Sequence, residues 1–193
     1  MEYIPIILVK EYYWCPVQAC LKLTTWSERE TYSMKAGRLD GNTRAKLLQQ
    51  LARRRITGEE HWEQEVISRR LGLRGRIDLL IDHGDTLTII EAKLTLPGRS
   101  KQAHIKAQLA AYMIAAEETY RKPVLRTLLY LIERDKLVEA RITPHHRTMA
   151  ENAAKNLWRM LTHGCTTQQP ARRIRCRTCA YREICPARLL QPH

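Results

Sequence analysis

The sequence predicts one α/β body with a small cysteine module appended at its C-terminal end. Three observations lead there: strand-like segments that come in hairpin pairs, helical apolar spacings between and around them, and a C-terminal stretch poor in apolar residues that holds three closely spaced cysteines. At 193 residues the chain is long enough for one well-buried domain plus a small module and too short for two ordinary domains.

Taken in order, Ile6 to Trp14 reads as a short helix or a strand-to-helix entry carrying Leu8, Val9, Tyr12 and Tyr13. It stops at Cys15-Pro16, because a residue before proline is pushed out of the helical region. Ser33 to Arg55 spaces Met34, Leu39, Leu47, Leu48 and Leu51 among Arg38, Arg44, Lys46 and Arg53 to Arg55, the pattern of an amphipathic helix with a basic outer face. Trp62 to Leu71 reads as a strand leading through Gly72 into a hairpin, Arg76 to Ile81 and Thr86 to Ala92. The loop of Pro97, Gly98 and Ser100 precedes a helix from Lys101 to Tyr120. On that helix Gln108 and Tyr112 stand four apart and emerge on one face with Lys101 and His104, beside a stripe of Ile105, Leu109, Met113 and Ala116. Val124 to Glu133 and Leu137 to Thr143 form a second hairpin around Arg134-Asp135-Lys136. Thr143-Pro144 is an N-cap with proline at the first helical position, opening a helix to Leu161, and Gly164 to Pro170 is a linker.

The first hairpin carries the chemistry. With Gly84-Asp85 as a two-residue loop, His83 pairs with Thr86, Leu80 with Ile89, and Asp78 falls opposite Glu91. Opposed residues on one sheet face have Cβ atoms about 4.5–5.5 Å apart, and two carboxylates at that distance call for a cation. Side chains alternate along a strand, so Lys93 shares the face of Glu91 while Ala92 points away. Carboxylate and carbonyl oxygens are hard ligands suited to Mg²⁺ or Mn²⁺, and Lys93 is placed to orient a water or to meet charge developing on a phosphate. The pattern reads as a metal-dependent phosphodiester-cleaving site, although Glu-x-Lys alone also occurs on plain solvated hairpins.

Lys and Arg outnumber Asp and Glu by 33 to 20, a formal charge of +13 spread along the chain, which implies a polyanionic partner. Glu2, Lys10 and Glu11 interrupt the apolar start, and no run approaches a membrane span, so a cytoplasmic protein without a membrane role is expected. There, six cysteines serve as metal ligands or thiols more readily than as a disulfide framework. Cys176-Arg-Thr-Cys179 and Cys185-Pro186 form a module that needs a metal staple, and three thiolates leave one ligand to come from elsewhere. Cys15 is the first choice; Cys20 and Cys165 compete with it but read as buried apolar thiols. Zinc and an iron–sulfur cluster both fit the spacing. The arginines at 172, 173, 175 and 177 are either a solvated run or phosphate contacts.

In this order, Cys15-Pro16, Gly75-Arg-Ile-Asp78, Glu91-Ala-Lys93, Gln108-Leu-Ala-Ala-Tyr112 and the terminal cysteines resemble the CRISPR-associated exonuclease family Cas4 over nearly the whole chain. The resemblance implies a restriction-endonuclease-like (RecB-type) core, a mixed β-sheet flanked by helices, over residues 33–163. Residues 1–32 would supply one cluster ligand, and residues 164–193 an iron–sulfur module packed against them. It implies Mn²⁺ or Mg²⁺ on Asp78, Glu91 and the Ala92 carbonyl, Lys93 as catalytic lysine, and Gln108 and Tyr112 beside the site and the DNA path. Cys15, Cys176, Cys179 and Cys185 match the ligands of a cluster, 4Fe–4S ahead of 2Fe–2S. The activity implied is exonucleolytic trimming of DNA, single-stranded ends above all and often from the 5′ side, to prepare spacer precursors for CRISPR integrase proteins, with an oligomer compatible.

One position departs from that family's pattern. Where a glycine is followed four residues later by a metal-binding histidine, Gly37 is followed here by Gly41. Asp40 beside it and His61 ahead of the hairpin are the two candidates to replace the imidazole. The alternative to a working nuclease is a cluster-stapled DNA-binding subunit with a weakened catalytic centre.

Overall fold

The computed structural model describes residues 2–25, 39–96, 102–165, 176, 179 and 181–186. The expected helical turns over 33–38, the loop at 97–100 with Lys101, the linker at 166–170 and the arginines at 172, 173, 175 and 177 lie outside the described residues. Strand β1 (Ile4–Pro5) runs straight into α1 (Ile7–Trp14), and Cys15-Pro16 separates it from α2 (Pro16–Thr25). Helix α3 (Gly41–Arg53) follows, then β2 (Glu59–Ser68), β3 (Leu73–Asp82), β4 (Leu87–Lys93) and α4 (Ala103–Tyr120). The chain goes on through β5 (Val124–Leu131), a 3₁₀ turn, β6 (Lys136–Glu139) and α5 (Pro144–His163).

The expected α/β body with a mixed sheet is the observed one. Strand β3 is antiparallel to both β2 and β4, β4 is parallel to β5, and β5 is antiparallel to β6. Leu80 pairs with Ile89, and the His83 N–H donates to the Thr86 carbonyl, which is the register the Gly84-Asp85 loop dictates. Thr143 caps α5 with Pro144 at its first turn, as its sequence requires.

Two apolar layers cover the sheet. Leu47 and Leu51 of α3 pack against Leu79, Ile81 and Ile90 on one face. Leu80 and Ile89 face the other way, into a core shared with α1, α2, α4 and α5. Helix α4 departs from the expected single apolar stripe: between Ile105 and Ala116 every residue except Lys106 is buried. The cause is its position, with β2, β3 and β5 on one side and α1 and α5 on the other.

The expectation for Cys20 and Cys165 needs correction. They are joined in a disulfide, Cα atoms 6.0 Å apart and 145 residues apart in sequence, which ties α2 to the end of α5. A contact so distant along the chain leaves no local pattern to read. Among the described residues, no helix is long and apolar enough to cross a membrane.

Candidate metal and nuclease site

Strand β3 offers the same edge to two partners. Its other edge pairs with β2 from Leu73 to Asp82, so β1, which pairs with Leu73 and Arg74, must share the edge that β4 occupies from Leu79 to Asp82. Between them the edge is open, and Asp78 sits at the end of the opening beside β4. The β3–β4 ladder stops at Leu79–Ile90, one pair short of Asp78 and Glu91, while β4 stays anchored through Lys93 by its parallel ladder to β5. Opposite, β2 carries Glu63 at φ 50, and its pairing skips from Trp62–Leu79 to Gln64–Ile77. A left-handed non-glycine residue inside a strand costs on the order of 1–2 kcal/mol and here breaks the ladder beside Asp78.

The freed groups meet. The Ala92 N–H donates to Asp78 Oδ2 at 2.7 Å, and Lys93 Nζ donates to Glu91 Oε1 at 2.8 Å. Glu91 is 6% exposed and its Oε2 has no hydrogen-bond partner; Gln108, 1% exposed, sets its side chain against the Tyr112 hydroxyl. An orphaned buried carboxylate oxygen costs several kcal/mol unless something positive meets it. Burial and the neighbouring Glu91 together push the Asp78 carboxyl up to about 7. Tyr112, 5% exposed, is pushed further up by burial and by the same two carboxylates, which places its ring beside them.

Gly75 explains how that ring fits. A Cβ there would stand 2.8 Å from Tyr112 Cε1 and 2.9 Å from Ile6 Cβ, so only glycine lets the tyrosine lie on the β3 backbone. The structure thus brings Asp78, Glu91, Lys93, Gln108 and Tyr112 together on the α4 face. It adds one group that sequence reading missed: Lys10 of α1, half-buried, whose ammonium is held below the usual lysine range by burial and then by Lys93, with Glu11 and Glu91 opposing. No local pattern marks Lys10, because α1 reaches the site only through tertiary packing.

Each of the two candidates for the missing imidazole is engaged with other groups. Asp40 is exposed and accepts the Thr43 N–H at 2.7 Å as the N-cap of α3. His61 pairs with Leu80 across β2 and β3 and sets its ring 5.9 Å from that of Tyr120, with Nε2 3.7 Å from Glu59. Gly41 is exposed, and a Cβ placed on it would meet nothing within 4 Å. Asp78 and Glu91 fit a hard divalent cation as two carboxylates, one with an unused oxygen, but among the described residues no three His, Cys, Asp or Glu side chains enclose a single ion.

At the other end of α1, the cysteines outside the disulfide gather. Cys15, Cys176, Cys179 and Cys185 line one concavity with Gln18 and Arg182. Burial pushes the Cys179 thiol up, and Cys15, Cys185 and Cys176 add to the shift, so the four lie near one another. That donor set suits a soft metal centre. Cys20 and Cys165, being bonded to each other, leave Cys15 as the N-terminal member.

Residues 17–186 match the PD-(D/E)XK nuclease superfamily. The chain is 28% identical over 189 residues to the CRISPR-associated exonuclease Cas4 of Aeropyrum pernix, covering 94% of each chain. It is 24% identical to the CRISPR-associated exonuclease Cas4 of Thermoproteus tenax, covering 92% of this chain and 90% of that one. A solved structure from Eubacterium rectale shares the fold at a TM-score of 0.54 and 14% identity, over 100% of this chain and 90% of the other. Asp78 and Glu91-Ala92-Lys93 reproduce the letters of the superfamily's name, with Ile77 where that name has proline.

Proposed function

The chain belongs to the PD-(D/E)XK nuclease superfamily, and from that premise we propose that it is a divalent-metal-dependent DNA exonuclease with Asp78, Glu91 and Lys93 as its centre. The observation that carries the reading is the pairing of half-buried Asp78 with buried Glu91, whose carboxylate has one oxygen unpartnered and a lysine on the other. Mn²⁺ or Mg²⁺ held by Asp78, Glu91 and the Ala92 carbonyl would supply charge neutralisation on the scissile phosphate and a more acidic water. The Ala92 N–H fixes the Asp78 carboxylate toward β4, and the β5 ladder keeps Glu91, Ala92 and Lys93 in line with it. Lys93, which donates to Glu91 Oε1 at 2.8 Å, would offer its ammonium to the attacking water or to charge developing on the phosphate. Gln108 and Tyr112 present polar groups from α4 to the same space, and Lys10 adds positive charge for the phosphate.

The substrate side rests on charge and on the relatives. A formal charge of +13 favours nucleic acid, and both curated relatives are named CRISPR-associated exonucleases. On that basis the protein trims single-stranded DNA ends and prepares spacer precursors for integrase proteins. Residues 33–163 carry the carboxylates and lysine of the nuclease core, to which β1 adds a strand and α1 adds Lys10, and Cys15, Cys176, Cys179 and Cys185 would hold an iron–sulfur cluster. Tetrahedral zinc with Zn–S of about 2.3 Å would hold its thiolates within roughly 4 Å of one another. Four cysteines lining one concavity, three of them close together in sequence and one remote, support a cluster that closes the two ends of the chain together.

Linear single-stranded DNA labelled at either end, its duplex form, and circular single-stranded DNA, each with Mn²⁺, test the activity. Progressive loss of linear single strands with intact circles is expected; cutting of circles would make the enzyme an endonuclease. The glycine at position 41, where the family's pattern has a metal-binding histidine, favours a second reading, a DNA-holding subunit with a weakened centre. Tight binding without turnover, together with cleavage gained by Gly41→His, which enters open space, would select it.

A further inference from the structure

A group of charges that the nuclease centre leaves unused stands on the β2 side of Asp78. Glu63 falls opposite Asp78 where the β2–β3 pairing skips, and each of its carboxylate oxygens meets a different guanidinium. Oε1 accepts from Arg44 Nη2 of α3 at 3.1 Å, and Oε2 lies 3.8 Å from Arg76 Nη1 of β3. The Arg44 guanidinium also stands 4.9 Å from the centre of the Trp62 ring, a contact that helps to fix its plane. Arg76 is two residues before Asp78, about 7 Å along the strand. Their charges reach the centre. After burial and Glu91, Glu63 adds to the rise of the Asp78 carboxyl, and Arg76 opposes the rise that burial and the two carboxylates cause at Tyr112.

Stability does not account for this arrangement. The side chains are 37% exposed at Arg44, 55% at Glu63 and 70% at Arg76, and ion pairs so open to water contribute little. They do not offset the left-handed backbone that Glu63 keeps at φ 50, and strain held beside a reacting centre points to function. The arginines also have donors to spare. Each guanidinium carries five N–H groups, and among the described residues Arg44 Nε is buried without a hydrogen-bond partner.

We propose that Arg44 and Arg76 form the strand-holding subsite of the nuclease centre, gripping the DNA backbone beside the scissile phosphate, and that Glu63 is the positioning residue that keeps the two guanidiniums together. The proposal rests on the reading that Asp78, Glu91 and Lys93 cut DNA. No group has to leave its observed place: phosphate oxygens take the N–H groups that Glu63 leaves over, and the carboxylate between them offsets the repulsion of the two cations.

The test measures binding of a fluorescent single-stranded oligonucleotide to the full chain in chelator across a range of salt, then its cleavage with Mn²⁺. On a single strand each phosphate contact adds about 0.7 to the slope of log affinity against log salt, which is about 5-fold in affinity at 0.1 M salt. Arg44→Gln and Arg76→Gln are each expected to flatten the slope by about that amount and to raise KM, with kcat and Mn²⁺ affinity little changed. Glu63→Gln removes a negative charge, so mere screening by Glu63 would make DNA bind more tightly; the positioning role predicts a several-fold higher KM instead. Unchanged slopes and KM in both arginine variants of a chain that cleaves DNA, or tighter binding by Glu63→Gln, would overturn the proposal. An unaltered chain that neither binds nor cuts the oligonucleotide would overturn the nuclease reading beneath it as well.

Discussion

Replacing Asp78 by Asn should make the metal-free protein more stable while removing its metal site. The carboxyl is pushed from 3.8 to about 7 by burial and by Glu91. A raised carboxyl pKa in the folded state means that the fold is favoured while the group is protonated and loses that advantage as pH rises from the ordinary carboxylate range through about 7. At about 1.4 kcal/mol per unit, the ionised pair costs on the order of 4 kcal/mol at pH 8. Asn keeps an oxygen to accept the Ala92 N–H, so the local geometry survives. Urea unfolding with a chelator, from pH 5 to pH 8, reads the effect. With a slope of about 2 kcal/mol/M, the variant's midpoint should lie up to about 2 M above that of the unaltered chain at pH 8, and the gap should close toward pH 4. Saturating Mn²⁺ should stabilise the unaltered chain, by about 2.7 kcal/mol at a hundredfold excess over its dissociation constant, and leave the variant unmoved. A variant less stable than the parent at pH 8, or a gap independent of pH, would refute the argument that the two carboxylates are held against their repulsion.

Three further outcomes are expected. Gly75→Ala places a Cβ against Tyr112 and Ile6 and should cost about 1–3 kcal/mol in unfolding free energy and lower DNA cleavage with it; a neutral result in both would detach Tyr112 from the site. Lys10→Met removes a half-buried ammonium beside Lys93 and Glu91, so calorimetry should show Mn²⁺ bound several-fold more tightly and DNA more weakly; equal shifts in one direction would count against the placement of Lys10. Thiol titration of the denatured, unreduced chain should find four reactive thiols among six cysteines, and Cys20→Ser should cost about 2–4 kcal/mol; six reactive thiols would remove the disulfide.

The sequence made the centre legible where local rules govern it. The Gly84-Asp85 loop fixes the register of β3 against β4, and strand alternation then puts Glu91 and Lys93 on one face, so Asp78, Glu91 and Lys93 could be read before any fold was known. Helical spacing did the same for Gln108 and Tyr112. What escaped was tertiary. That β1 and β4 share one edge of β3, that Glu63 interrupts the β2–β3 ladder opposite Asp78, that Gly75 makes room for Tyr112 and that Lys10 enters from α1 all depend on residues far apart in the chain. The Cys20–Cys165 disulfide was hidden for the same reason, and the composition argument about six cysteines pointed away from it.

The most direct test of the account is cleavage of end-labelled single-stranded DNA with Mn²⁺ by the unaltered chain, Glu91→Ala and Lys93→Ala, alongside Mn²⁺ binding by each. The account predicts that the unaltered chain shortens the DNA, that Glu91→Ala loses both the ion and cleavage, and that Lys93→Ala keeps the ion and loses cleavage. Full-rate cleavage by either variant would contradict it.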